Sequence, residues 1–382
     1  MSPLSIGSFS QKADLSLESL LHEVGSLSLD YSDQYGHPLL ISALKDFYHQ
    51  SFSNDQNKNL SQYKSLTSSC ATPESLNLDL KILSTAGAAE AIYLTFKSLF
   101  KAGDQLCVMK PCYQSLYQVA KNHGCQVHSW LYQPERSFKD NLDQLAAILT
   151  TEPDIKALVL NNPNNPLGSA FNSSELAQIS KIIGASRLLI VDEVCQPLNT
   201  DSKKSALHLH PKTIVFGDLS KAFALPGLRL GWLAARGVDL NQCIAFRNFT
   251  SLRTSIISEL LAARLLPKAR LVVNEHIKLI EHNKSFLVNF LAQQNDFILL
   301  AAPTSIVGIA TYIALNPLAS NYQNLKNALE SKAIFTLSDI KVLVASHQAL
   351  DYSVPGFRLG LGLKPEIFER LVKNMLTLLT YG

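Results

Sequence analysis

The sequence has no CxxC pair and no pattern of closely spaced cysteines; the six it carries stand at 70, 107, 112, 125, 195 and 243. That spacing excludes a zinc-ribbon site and a disulfide framework, and it fits reduced thiols in a cytoplasmic protein. No metal site is expected. Charge is also sparse: 17% of the residues are charged, and 34 basic against 31 acidic side chains leave +3 with no long basic run. A nucleic-acid surface needs a concentrated Lys/Arg face, so that partner is not expected. The opening residues, MSPLSIGSFSQKADLSL, lack the basic-then-apolar order of a secretory signal. An unbroken membrane-length run is missing as well. The uncharged stretch from Phe297 to Leu315 is interrupted by Pro303, Thr304, Ser305 and Gly308, so it reads as two buried strands around a turn. There are no internal repeats. What remains is an ordinary globular, soluble composition, 47% hydrophobic, long enough for about two domains.

Short apolar runs alternate with helical patterns through the middle of the chain. LKILS (80–84), QLCVM (105–109), IKALVL (155–160), LLIVD (188–192) and TIVFG (213–217) read as strands. Between them, Ala91, Ile92, Thr95, Phe96 and Leu99 fall on one helical face. YQSLYQVAKNHG reads as a helix ending at a glycine, and NSSELAQISKIIG opens with Asn172 and Glu175 in capping-box spacing. Such alternation predicts a mostly parallel sheet with helices on both faces, whose sites form beyond the carboxyl ends of the strands. From about residue 270 a long helical stretch, further apolar strands and a last helix predict a smaller C-terminal domain. The expected division is an N-terminal segment (1–45) joining the small domain, a large domain (46–270) and the small domain (271–382). The polar stretch 51–70 reads as a surface loop.

Four suspicious motifs follow those strands. STAGAAEA puts Gly87, Ala88 and Ala89 at a strand–helix turn, where bare backbone N–H groups suit a phosphate; tight packing is the plain alternative. NNPNNPLG (161–168) uses two prolines to fix asparagines at a strand's end. Asp192 ends an entirely apolar strand, which is costly unless something cationic or protonated faces it, although it could also cap a helix. GDLSKAFALPGLRLGW (217–232) sets Lys221 in an apolar stretch with Arg229 eight residues on. A lysine in low-dielectric surroundings is partly neutral and forms Schiff bases with aldehydes. An arginine fork anchors a phosphate. Pyridoxal phosphate is a cofactor that carries both an aldehyde and a phosphate.

These motifs, in this order and at this spacing, resemble the fold-type I pyridoxal-phosphate enzymes, specifically the class I/II aminotransferases, from YSDQYG near 31 to FRLGLG near 357. The resemblance implies an α/β protein: a large, seven-stranded-type, mostly parallel sheet sandwiched by helices, with a smaller α+β domain. It also implies a role for each matching residue. Lys221 would carry pyridoxal 5'-phosphate as a Schiff base and move the substrate's α-proton, and Asp192 would face the ring nitrogen. Asn165 would bond the ring 3'-oxygen and border the substrate, and Tyr113, in KPCYQSLY, would stack on the ring. Gly87, Ala88, Ala89, Ser220 and Arg229 would cup the phosphate. Arg358, in PGFRLGLG, would pair with the substrate's α-carboxylate. Tyr31 would reach the partner's site, which implies a homodimer.

Three positions depart from the family pattern. Cys195 stands where a tyrosine usually donates to the 3'-oxygen; a thiol is a weaker donor and a better nucleophile. Asp218 stands where a serine or threonine commonly binds the phosphate, and an aspartate there is repulsive unless a cation such as Arg229 bridges it. Ala88 and Ala89 offer no hydroxyls. The implied activity is transfer of an amino group between an amino acid and a 2-oxo acid. β-Elimination, decarboxylation or racemisation at the same cofactor is the alternative. A non-catalytic scaffold, or a helix-turn-helix regulator with a fused domain of this kind, fits less well.

Overall fold

The computed structural model describes residues 30–50, 79–199, 205–331, 334–337 and 340–381. The polar stretch at 51–70 and Cys70 lie outside them. Helix α1 (Pro38–Gln50) precedes β1 (Leu80–Thr85), α2 (Ala88–Leu99), β2 (Gln105–Lys110), α3 (Ser115–Asn122) and β3 (Gln126–Leu131). Then come α4 (Phe138–Thr151), β4 (Ile155–Asn161), α5 (Ser173–Ile183), β5 (Leu188–Asp192), β6 (Thr213–Asp218) and β7 (Gly231–Arg236).

The seven strands form one sheet in the order β1-β7-β6-β5-β4-β2-β3. β3, β2, β4, β5 and β6 pair in parallel, while β7 runs antiparallel to both β6 and β1. β1 is therefore parallel to β6, and the carboxyl ends at Thr85, Lys110, Asn161, Asp192 and Asp218 share one edge with the first residue of β7. The central strands read as unbroken apolar runs because both of their faces are covered. Alternate residues of β4 divide between two cores, Leu158 and Leu160 on one side, Ala157 and Val159 on the other. One face is covered by α2 and α3, the other by α1, α4 and α5. Truncating Leu158, which is wholly buried, to alanine would cost about 2–5 kcal/mol.

Helix ends follow their capping chemistry. Asn172 and Glu175 form a complete capping box on α5, and Gly184 closes that helix. β3 and β7 are strands that periodicity did not single out. β3 is an edge strand with only Trp130 fully buried, and β7 opens inside the GLRLGW motif.

After β7 come α6 (Asn241–Arg247), α7 (Ile256–Leu265) and the long α8 (Ala269–Leu291). Then follow β8 (Phe297–Leu299), β9 (Ala310–Leu315), α9 (Tyr322–Ser331), β10 (Ile334–Leu337), β11 (Ile340–Ser346), β12 (Gly356–Gly360) and α10 (Pro365–Tyr381). The five strands make an antiparallel sheet, β10-β11-β12-β9-β8. β8 and β9 are the two strands expected within Phe297–Leu315, but only β9 is buried along its length; β8 buries Phe297 and exposes Ile298. The junction expected at 270/271 falls in the first turn of α8. Residues 32–37 are tied to the end of β1: Ser84 N–H donates to Tyr35 O at 2.8 Å, and the fully buried Arg247 donates to Ser84 O and Gln34 O. The wholly buried Glu259 accepts Ser84 Oγ at 2.6 Å and His37 N–H at 2.8 Å. No helix among the described residues is long and apolar enough to cross a membrane.

Candidate active site

The loop after β4 is held by its own side-chain amides. Asn161 Oδ1 accepts Asn165 N–H at 2.9 Å, Asn164 Oδ1 accepts Leu167 N–H at 3.0 Å, and Asn162 Oδ1 accepts Phe171 N–H at 2.8 Å. Asn164 Nδ2 donates to Pro111 O at 2.9 Å, which joins this loop to the one after β2. Asn161, Asn162 and Asn164 are buried scaffold. Asn165 alone turns its side chain to the small sheet, where its Oδ1 accepts Arg358 Nη1–H at 3.0 Å. Arg358 lies mid-β12 opposite Tyr312. Burial draws its guanidinium below the ordinary value, and nearby Tyr113 opposes the shift. Tyr113 itself is 42% exposed. Behind it, Lys110 and Tyr117 OH hold Asp351 Oδ2 at 2.7 and 3.0 Å, a second tie between the two sheets.

Asp192 ends β5 in a buried position. Burial pushes its carboxyl up to about 7, against the Val194 N–H on Oδ1 at 3.1 Å; Asp218 adds to the rise and Lys221 opposes it. Among the described residues no cation is bonded to it. Cys195 is buried too, its thiol pushed up to about 12 by burial and then by Asp192. It is therefore a neutral thiol at physiological pH and not the enhanced nucleophile that its chemistry alone suggests. Cys112, next to Tyr113, is likewise pushed up to about 12.

The loop after β6 departs from expectation. Ala222, Phe223, Ala224 and Leu225 are buried, but Lys221 between them and Ser220 is exposed. The expected buried amine is thus an accessible one, close enough to Asp192 and Cys195 to shift both. The backbone beneath it is fixed: Leu225 N–H donates to Leu219 O at 2.9 Å, Leu219 N–H to Leu230 O at 3.1 Å, and the buried His276 Nδ1 bonds Ala222 O at 2.7 Å. Ala224 and Arg229 hold left-handed backbone, φ 52° and 47°, a strain of about 1–3 kcal/mol each that surrounding packing must sustain.

Three amides of the turn before α2 are already engaged. Ala86 N–H donates to Glu90 Oε2 at 2.6 Å, Gly87 N–H to Thr85 O at 2.8 Å, and Ala88 N–H to Asp218 Oδ2 at 2.8 Å. Asp218 Oδ1 takes the Ser220 N–H. Gly87 has φ 84°, and a Cβ there would lie 2.7 Å from Arg229 Nη2 and 3.2 Å from Asp218 Oδ2. The missing side chain is what lets a cation and an anion approach this helix end. Arg229 Nη1 also reaches Ser220 Oγ at 3.4 Å.

Two features lie beside this group. Tyr31 is 80% exposed on the N-terminal segment, and nothing among the described contacts joins it to Lys221. A cavity of about 150 Å³, lined by Tyr48, Glu193, Trp232 and Asn274 among others, touches the group only through Asp218. Burial pushes its Glu193 up to about 7. No cluster of three or more His, Cys, Asp or Glu able to hold a metal occurs among the described residues.

The sheet edge thus joins an accessible amine, a buried acid without a bonded cation, and a helix end where Arg229 and Asp218 meet, while Asn165 links it to a guanidinium of the small sheet. Residues 16–374 match the model of the family "Aminotransferase class I and II". The chain belongs to that family. It is 26% identical over 221 residues to a capreomycidine synthase of Streptomyces vinaceus, covering 55% of this chain and 54% of that protein. It is 28% identical over 172 residues to an aspartate aminotransferase of Musicola paradisiaca, covering 44% and 42%. The chain therefore spans about half the length of these curated relatives. A PLP-dependent aminotransferase from Streptococcus suis shares the fold, with TM-score 0.75 at 20% identity over 99% of this chain and 90% of that one.

Proposed function

We propose that this chain is a pyridoxal-phosphate-dependent aminotransferase that moves an amino group between an amino acid and a 2-oxo acid. The observation that carries this reading is Lys221, accessible and close enough to the buried Asp192 to oppose the rise of its carboxyl. The donor set fits the cofactor: Asp192 is a buried carboxyl, raised to about 7, that a cationic ring nitrogen would draw back to its anion, and Gly87 opens a space at Arg229 that a Cβ would fill. When bound, pyridoxal phosphate withdraws electrons from the substrate's Cα.

The chain's own residues do the rest. Lys221 would hold the cofactor through its aldehyde group, with loss of water, and, once the substrate's amine displaces it, would take up and return the Cα proton. Asp192 keeps a proton on the ring nitrogen, and that cationic partner lowers its own pKa in return. Asn165 Nδ2 donates toward the ring 3'-oxygen, with Cys195 as a weak neighbouring donor. Tyr113 covers a ring face. Arg229, Ser220 and the turn at Gly87, Ala88 and Ala89 receive the phosphate. Arg358 pairs with the substrate α-carboxylate. Tyr31 belongs to the partner's site in a homodimer, and a cytoplasmic location suits the reduced thiols.

Borohydride reduction of the holoprotein should fix the cofactor to the peptide carrying Lys221, and a screen of amino donors should convert it to its amine form. An unlabelled Lys221 peptide would defeat the reading. A second reading, a different reaction at the same cofactor such as elimination or ring closure, is favoured by the likeness to a relative named a synthase and not an aminotransferase. Pyruvate and ammonia released without an oxo-acid acceptor would indicate elimination, and a ring-closed product would indicate cyclisation.

A further inference from the structure

We infer that Asp218 shares a proton with the cofactor's phosphate, so that this chain takes up the phosphate together with one proton. The inference rests on the cofactor reading above and adds a residue that stands where that reading leads one to expect a hydroxyl.

The carboxylate of Asp218 is only 6% exposed and already holds the Ala88 amide at 2.8 Å and the Ser220 amide. Those amides belong to the two loops that would flank the phosphate. The groups facing it are mixed in sign. Arg229 reaches the same point at Gly87, and Lys221 follows on the same loop. Glu90 of α2 holds the Ala86 amide, and Asp192 and Cys195 at the end of β5 are electrostatically coupled to Asp218. Opposite Asp218, β7 offers Gly231, which carries no charge.

A phosphate monoester is mostly a dianion above about pH 6. Set against Asp218 it would bring three negative charges to Arg229 and a helix end. A proton taken from solvent and held between a phosphate oxygen and Asp218 Oδ2 leaves two, and it makes a short charge-assisted O–H···O bond. No other bond forms or breaks, and nothing is oxidised. A hydroxyl at this position would bind the dianion without that proton.

The test titrates apoprotein with pyridoxamine phosphate, whose amine cannot condense with Lys221, across about pH 6.5–9, with calorimetry in buffers of different ionisation heat. Wild type should take up about one proton more than Asp218→Asn, its Kd rising up to about tenfold more per pH unit. At the alkaline end Asp218→Asn and Asp218→Ser should bind at least about tenfold tighter than wild type. Pyridoxamine, which lacks the phosphate, should not distinguish them. Equal proton counts and slopes in wild type and a folded variant would overturn the inference, as would the same difference with pyridoxamine. If no form of the protein binds pyridoxamine phosphate, the cofactor reading falls and takes this one with it.

Discussion

Asp192 and Asp218 end neighbouring parallel strands. Asp192 lies beside Phe216, two residues before Asp218, so both carboxylates project on the same face of the sheet. They are almost equally buried, at 3% and 6%, yet they are built for different work. Asp218 accepts two backbone amides; Asp192 accepts one, and its carboxyl is pushed up to about 7 by burial. The donors at each carboxylate, not its depth, separate an acid waiting for a cation from an anion already lodged at a helix end.

The sharpest way to break this comparison is on the loop that follows Asp218. Lys221→Ala should lower kcat by roughly 10³–10⁴-fold, measured in the amino-transfer assay. Asp192→Asn should cost about 10²–10³-fold in kcat with the cofactor still bound. If Asp218→Asn lowers kcat more than Asp192→Asn does, the assignment of the ring nitrogen to β5 is wrong. Arg358→Lys removes a planar fork and should reduce kcat/KM for amino donors by about 10–100-fold, mostly through KM.

The apoprotein's pH dependence sharpens the contrast further. Asp192 and Glu193 both have folded pKa values raised to about 7, so the folded state binds more protons than the unfolded one below that point. Their contribution to stability is present at acid pH and is lost as pH rises from about 4 to 7. In urea titrations Asp192→Asn should flatten that decline, whereas an unchanged slope would show the carboxylate is not held protonated. The smallest expected effect is spectral. Cys195→Tyr replaces a weak donor with a phenol and should shift the pH titration of the bound cofactor's absorbance by about one unit.

Much of this was legible in the residues. Strands β4, β5 and β6 announce themselves because burial on both faces requires unbroken apolar runs, and α5 by the pairing of Asn172 with Glu175. β3 escaped because an edge strand needs few apolar residues, and β7 because its glycine and tryptophan read as part of a motif. The candidate residues were named through motifs that resemble the family's, but their contacts were not. Asn165 and Arg358 are 193 positions apart, and Lys110 and Asp351 are 241. The apolar neighbours of Lys221 suggested a buried amine, but the burial of Ala222 and Phe223 does not extend to a side chain that leaves the loop on the other side. Asp218 carried the same signal as Asp192, an acid closing an apolar strand. Only the fold shows that α2 brings its first amide there.

The bond from Arg358 to Asn165 settles which way round that amide sits. A guanidinium has no acceptor, so Oδ1 must turn to it and the NH₂ must point away. Whatever occupies the far side therefore meets two donors and no lone pair. A carbonyl or phenolate-like oxygen is accommodated there, while an N–H is refused, and an arginine on another sheet enforces that choice.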